Sequence, residues 1–336
     1  MTSLIAFCLV GAMLSAYTLL DGYDLGAAAI TPMLAKTRAE RSAIVESIGP
    51  FWSGNEVWLV AAGGTLFALF PQAYAVSFSG FYLPFIVVLW LLMFRGIAIE
   101  LRAHLPGDMW MDFWDVAFSL SSVLLILLFG VALGNLVRGL PLDPDGYFSG
   151  RFSSLLNPYA SAVGVLAVVA LAQHGLAYVG NSVAGALGER ALRYNGRVWW
   201  FVLVAYLGVS AATIATHRGA LASAPLAIVA SALALAALVA LRRFAAHSHA
   251  ASTFRASTVF LAGLLAAAAA TMYPYLIRPY PGSPGGLSIF AASPPSVTLA
   301  LSVVVAAVGL VAVIAYSVFV RRRMSAKVVV HEEATA

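Results

Sequence analysis

Five ionisable side chains stand inside stretches that are otherwise apolar: Asp21, Asp24, Glu56, Arg95 and Glu100. Asp21 and Asp24 are three residues apart, which on a helix puts both carboxyls on one face. Glu56 lies in the string Phe51-Trp52-Ser53-Gly54-Asn55-Glu56-Val57-Trp58, and Arg95 and Glu100 close a third apolar stretch. In lipid each charge costs about 2.5–3.5 kcal/mol at a helix centre, so such groups turn toward one another or toward a wet path. Fully ionised, the five carry four negative charges against one positive. That excess does not persist in low dielectric, so one or more of the acids is expected to hold a proton near neutral pH. Acids that take up and release protons at one depth are what a proton-uptake path requires, with Arg95 as their ion-pair partner. The competing reading is that Arg95 fixes helix packing while the other groups sit at an interface. It suits Glu100 best and suits Asp21, Asp24 and Glu56 poorly, because one arginine cannot neutralise three acids.

The elements that hold these groups must be helices in lipid. Of 336 residues 62% are hydrophobic and only 10% charged, against roughly a quarter charged in a soluble domain. Too few charged groups remain to cover a surface facing water. The net charge of +5 and pI near 9.4 do not argue for nucleic acid, because no soluble fold is there to carry a basic patch. A bilayer core of about 30 Å takes about 20 apolar residues per helix. On that basis nine spans are expected, over 4–30, 52–71, 77–100, 114–137, 158–181, 198–216, 225–241, 256–277 and 296–320. No linker is long enough for a soluble domain. The stretch Met1-Thr2-Ser3 has no positive region, so a cleaved signal peptide is not expected. Cys8 is the single cysteine, which excludes an internal disulfide and any clustered-thiolate metal site.

Lys and Arg set the orientation. Arg138, Arg151, Arg218 and Arg278 fall on the side of the N-terminus, and the other fifteen of the nineteen fall on the opposite side. The N-terminus is therefore expected outside and the C-terminus in the cytoplasm. Spans 1 and 3 then run inward and span 2 outward. Asp21 comes about 13 Å from the inner end of its span, and Glu56 and Arg95 within about 10 Å of theirs. All five groups thus share one depth in the cytoplasmic half.

Other residues read as structural. Gly22, Gly26, Gly54, Gly63 and Gly64 suit close helix approach, Pro84 suits a kink, and Gly282-Ser283-Pro284-Gly285-Gly286 suits a turn. The stretch 36–49, with Lys36, Arg38 and Arg41 set against Ile44, Val45 and Ile48, suits an amphipathic helix on the membrane surface. Of six histidines, His104, His217, His247, His249 and His331 fall in loops, span ends or the tail. Only His174, beside Gln173, lies well within a span, and it reads as a packed, hydrogen-bonded residue rather than a haem ligand. No nucleophile motif or phosphate loop is present, and no metal site is expected.

Several blocks resemble subunit II of cytochrome bd-type quinol oxidases. They are Asp21-Gly22-Tyr23-Asp24-Leu25-Gly26, the run from Pro50 through Trp52, Gly54, Asn55 and Trp58 to Leu59, Phe78-Ser79-Gly80-Phe81-Tyr82, and Phe94-Arg95-Gly96. Order and spacing match from residue 21 to about 102. Gly134-Asn135, Leu155-Leu156-Asn157-Pro158, Tyr273-Pro274 and Ala292-Ser293-Pro294 give weaker support. The resemblance implies an all-α polytopic membrane protein of two four-helix bundles and one peripheral helix, in a bacterial cytoplasmic membrane. Residues 1–137 would form the first bundle, 138–157 an external loop and 158–277 the second bundle. Residues 278–320 would form a loop and the final helix, and 321–336 a cytoplasmic tail. It implies a partner, subunit I, that carries haem b and haem d and the quinol site. There membrane quinol is oxidised and oxygen reduced to water, with protons drawn from the cytoplasm. This chain would then scaffold the partner and line a proton or oxygen route. A small accessory subunit and a quinone or lipid held in this chain are left open.

Ser53 departs from the family pattern. Many members carry Asp there, an acid usually assigned to a proton path. A serine hydroxyl passes a proton through water but cannot hold one, so either Glu56 with Asp21 or Asp24 takes over or the path is weakened. The alternative function is a proton-coupled secondary transporter, which also uses buried acids and two half-bundles. A purely structural membrane protein is a third class, and it expects the buried acids to be changeable at little cost.

Overall fold

The structure is a computed structural model and describes residues 1–105, 107–143, 146–217, 225–280, 285–324 and 326–330. Arg218, His331 and residues 282–284 of the expected turn lie outside the described residues. In chain order the helices are α1 (Thr2–Leu34), α2 (Arg38–Ile48), α3 (Trp52–Leu69), α4 (Pro71–Gly80), α5 (Tyr82–Leu101) and α6 (Asp108–Arg138). They continue as α7 (Phe152–Leu155), α8 (Pro158–Ser182), α9 (Ala186–Thr216), α10 (Pro225–Ala246) and α11 (Ala250–Met272). Two short antiparallel strands, β1 (Tyr275–Ile277) and β2 (Leu287–Ser288), precede α12 (Ser296–Met324).

Among the described residues eight helices are long and apolar enough to cross a membrane: α1, α5, α6, α8, α9, α10, α11 and α12. The chain is thus an all-helical polytopic membrane protein. Of the nine expected spans, the second does not qualify on composition, because α3 opens on Trp52-Ser53-Gly54-Asn55-Glu56.

Three boundaries differ from expectation for identifiable reasons. The third span is divided at Phe81, whose backbone leaves the helical region. Pro84 therefore falls in the first turn of α5, where its missing N–H costs nothing, and the expected kink becomes a fresh helix start. Residues 273–277 leave the expected eighth span: α11 stops at Met272 and the chain turns into β1. The sixth span begins at Ala186 rather than 198, because Arg190, Arg193 and Arg197 ride on an inner extension of α9.

α1 packs against α3, α6 and α8, and α8 packs in turn on α6, α9 and α11. α10 and α11 pair closely, while α12 lies along α3 and α1 with only Leu299 buried. The α1–α8 crossing is the tightest. A Cβ on Gly26 would stand 1.9 Å from the Leu171 carbonyl oxygen, and one on Gly175 would stand 2.1 Å from Gly26. Only glycine permits backbones to meet this way. Gly22 and Gly54 sit under Leu171 and Tyr316 side chains, whereas Gly63 and Gly64 meet nothing within 4 Å. The close approach expected of that last pair is not made within this chain.

Two loops between helices build a small cap on the N-terminal end of α1. Leu140 bridges to Pro279, and Leu142 to Phe148 and Gly285. Leu140, Leu142, Leu155, Ile277 and Ile289 are buried with Ala6, Val10 and Phe70. Asn135 donates to the Leu155 carbonyl at 2.8 Å, and Asn157 donates to Asn135 Oδ1 at 2.9 Å. Asn157 also caps α8 by accepting from the Ala160 N–H at 3.0 Å. At the opposite end α2 is amphipathic as expected, but its apolar face is buried in protein rather than laid on lipid. Ile44 and Ile48 are fully covered and pack with Tyr178, Val179 and Leu187.

Candidate functional site

Arg95 organises the site. It is wholly buried, as are Asp21 and Asp24. α5 brings its guanidinium against one face of α1, where Asp21 accepts it in a fork: Nη1 to Oδ2 at 2.9 Å and Nη2 to Oδ1 at 2.5 Å. Such two-point pairing fixes geometry as well as charge. Nη1 also donates to Glu56 Oε1 of α3 at 3.1 Å, and Nη2 stands 4.0 Å from Asp24 Oδ2. Three helices thus converge on one cation. Glu56 differs from the two aspartates in that 27% of its side chain remains exposed.

Asp24 takes its closest hydrogen bond from Asn55, at 2.7 Å. The same amide nitrogen lies 2.9 Å from the Tyr23 hydroxyl and 3.2 Å from the Leu20 carbonyl. Of the α3 neighbours Asn55 and Glu56, Asn55 therefore holds α1 directly and Glu56 reaches it through Arg95 of α5. Tyr23 stacks on Tyr178 of α8 with ring centroids 4.2 Å apart, and its hydroxyl accepts from Arg321 Nη2 of α12 at 3.2 Å. Arg321 is a second cation at this junction. With it, three acids face two arginines, still one negative charge in excess. One bound proton would bring the cluster to neutrality.

Asp21, Asp24, Glu56 and Arg95 come together as expected. Glu100 does not: its side chain is exposed on α5, outside the cluster. Ser53 is exposed on α3 and makes no hydrogen bond among the described residues. Of the motif residues, Asn55 belongs to the cluster and Trp52 packs over Gly96. Trp58 Nε1 donates to Ser317 Oγ of α12 at 3.2 Å. Tyr23, Tyr178 and Arg321 were missed as contributors. Tyr23 could have been found from its place between the two aspartates. Arg321 lies in a triple-arginine run that the sequence offers only as an orientation signal.

His174 is fully buried, with Nδ1 2.7 Å from Ser257 Oγ and Nε2 3.1 Å from the Leu19 carbonyl. Both ring nitrogens are engaged within the protein, so the residue does not fit an axial haem ligand.

A second charged layer lies at the helix ends around α2. Arg102 donates to Asp115 at 2.5 Å, Arg41 bridges Asp112 and Asp115 at 2.9 and 3.2 Å, and Arg38 pairs with Asp108. Arg190 grips Glu40 through two bonds of 2.8 and 3.0 Å. Burial works to raise the Glu40 pKa, but the bonds from Arg190 and from the Lys36 backbone N–H outweigh it and hold the carboxyl below its usual range. These pairs lock α2 to α6 and α9 beneath the buried acids.

Comparison with known proteins places the chain in a family. Residues 2–324 match the family model described as cytochrome bd terminal oxidase subunit II. A probable cytochrome oxidase subunit 2 of Haemophilus influenzae is 29% identical, over 94% of this chain and 92% of that one. The cytochrome bd ubiquinol oxidase subunit 2 of Bacillus subtilis is 34% identical, over 66% of this chain and 67% of that protein. The cytochrome bd-I ubiquinol oxidase subunit 2 of Escherichia coli K12 is 38% identical, but the match spans 54% of this chain and only 49% of that protein. The structure of bd oxidase from Geobacillus thermodenitrificans superimposes with a TM-score of 0.73, covering 96% of this chain and 98% of the other at 17% identity. At that identity the likeness speaks for the fold.

Proposed function

This chain belongs to the cytochrome bd terminal oxidase subunit II family, and from that membership we propose how its buried acids serve an oxidase complex. The chain is the second subunit of a quinol oxidase complex in a bacterial membrane. In the proposal its partner, subunit I, carries haem b and haem d, oxidises membrane quinol and reduces oxygen to water. The complex sits in the cytoplasmic membrane and draws its protons from the cytoplasm. The commitment of both His174 nitrogens to Ser257 and Leu19 supports placing the haems on the partner.

The fold supports a ninth crossing. α3 has 18 residues, about 27 Å at 1.5 Å per residue, and its polar opening is spent on α1 and α5 rather than on lipid. We read α1, α3, α5 and α6 as one four-helix bundle, α8 to α11 as the second and α12 as the peripheral helix. The N-terminus is outside and the C-terminus inside.

This chain's part is to hold protons. The observation that carries the reading is Arg95, buried and shared by Asp21, Glu56 and Asp24. Glu56 keeps an exposed edge and exchanges protons with its surroundings; Asp21 and Asp24 are sealed, share Arg95 with it, and take the proton inward from it. Ser53 is set apart, so the path runs through Glu56 in place of an acid at position 53.

The complex recovered in mild detergent through a tag on this chain tests the assignment. A second large membrane subunit with haem b and haem d absorption is expected. A colourless, stable, monodisperse preparation of this chain alone would overturn it in favour of a proton-coupled transporter.

A further inference from the structure

Tyr17 lies on α1 one turn before Asp21, four residues away and therefore on the same helix face. It is buried, and its ring stands edge-on to Phe129 of α6 with centroids 5.7 Å apart. The charges that act on its hydroxyl are those of Asp21, Arg95 and Glu56, yet Tyr17 Oη makes no hydrogen bond within the protein. Two more atoms at the same junction are in this condition, Asp24 Oδ1 and Arg95 Nε. Of seven such buried side-chain atoms among the described residues, three belong to Arg95 and to the stretch of α1 from Tyr17 to Asp24 that it faces.

Buried polar atoms are seldom left unpaired, and at polar sites bound water is the usual partner where protein supplies none. The three atoms complement one another. Arg95 Nε only donates, an ionised Asp24 Oδ1 only accepts, and the Tyr17 hydroxyl does both. We propose that Tyr17 is a further member of the proton path, its hydroxyl joined through bound water to the Asp21–Arg95–Asp24 junction and passing protons outward from the acids. This rests on the reading of those acids as proton carriers. The hydroxyl accepts a proton on a lone pair as it releases its own to the next acceptor. It ends as it began, and no oxidant or reductant enters the step. Polar character continues for one more turn, where Thr65 Oγ1 donates to Met13 Sδ at 3.1 Å. Beyond it stand Ala6, Val10 and Leu69, all buried and apolar. The polar stretch along α1 therefore ends about 12 Å outward of Asp21, so the group that takes the proton from Tyr17 lies within that turn or on the partner subunit.

The test uses the assembled complex. Tyr17→Phe keeps the ring and removes the hydroxyl. It is expected to lower turnover at saturating quinol by on the order of fivefold, about what one lost buried hydrogen bond contributes, with KM unchanged. The infrared difference band of protonated carboxyls should move, which a packing role would not cause. A Tyr17→Phe/Glu56→Gln double variant should be no slower than Glu56→Gln alone, because both act on one path. Phe129→Leu disturbs the ring contact but leaves the hydroxyl, and should keep turnover within about twofold of wild type. Tyr17→His against Tyr17→Leu gives an independent reading: a relay favours His, and a packing site favours Leu. Slow Glu56→Gln beside a Tyr17→Phe with wild-type turnover and an unmoved carboxyl band would overturn the role of Tyr17 and leave the acids standing. Wild-type rates in both variants would overturn the path itself.

Discussion

Glu56 has one oxygen on Arg95 and an edge in the open, a combination neither aspartate shares. Removing its charge should therefore interrupt proton exchange without unseating Arg95, which keeps its fork on Asp21. Glu56→Gln is expected to slow quinol-driven oxygen consumption by on the order of a hundredfold, the lower end of the range for a lost proton-transfer group. Ser53→Ala, altering an exposed hydroxyl, should leave the rate near wild type. Equal rates for the two variants in an oxygen-electrode assay would refute this division. The convergence on Arg95 was legible in the sequence because a lone intramembrane cation among acids has few stable arrangements. The inclusion of Glu100 was an error of the same reasoning: depth along a helix does not say which side of the helix a residue takes. Arg321 was not legible, because nothing local marks a residue whose partner lies 298 positions away.

At the scale of elements, α2 is held by charge as much as by its apolar face. Glu40 is the joint between α2, α9 and the end of α1, since Arg190 donates to both Glu40 and the Leu34 carbonyl, the latter at 2.9 Å. A carboxyl whose folded pKa is depressed lends stability above its unfolded pKa and loses it as pH falls through the folded value. Glu40→Gln should thus unfold more readily near neutral pH, by about 1–3 kcal/mol for charge-assisted bonds. The gap from wild type should begin to narrow as the pH drops below the ordinary glutamate value of about 4.3 and close only below the lower folded value. Thermal unfolding of the detergent-solubilised complex across that range measures it, and a gap constant with pH would exclude the ion pair as its source. The amphipathic pattern of α2 could be read from Ile44, Val45 and Ile48. Its burial could not, because pattern alone does not separate lipid from a protein neighbour. The division at Phe81 was hidden for a related reason: apolar residues run on through it, and only backbone geometry marks the break.

At the scale of the molecule, one labelling experiment tests both the proposed orientation and the ninth crossing. If α3 crosses, residues on either side of it face opposite compartments. With Cys8 replaced by serine, Gln72→Cys should react with an impermeant thiol reagent in intact cells and Glu46→Cys should not; both positions are exposed. Labelling of both would remove α3 from the spanning set, and the reverse pattern would invert the chain.

α12 carries Ser317 to Trp58, Tyr316 over Gly54 and Arg321 to Tyr23. During synthesis α1, α3 and α5 are made early, so the acids can meet Arg95 while most of the chain is still unmade. The second cation comes only with the final helix. Until α12 docks, Tyr23 lacks its arginine and the groove along α1 and α3 lies open to lipid. The charge balance of the oldest part of the molecule is thus completed by one of the youngest, and a chain halted before α12 would hold its acids with one positive charge instead of two.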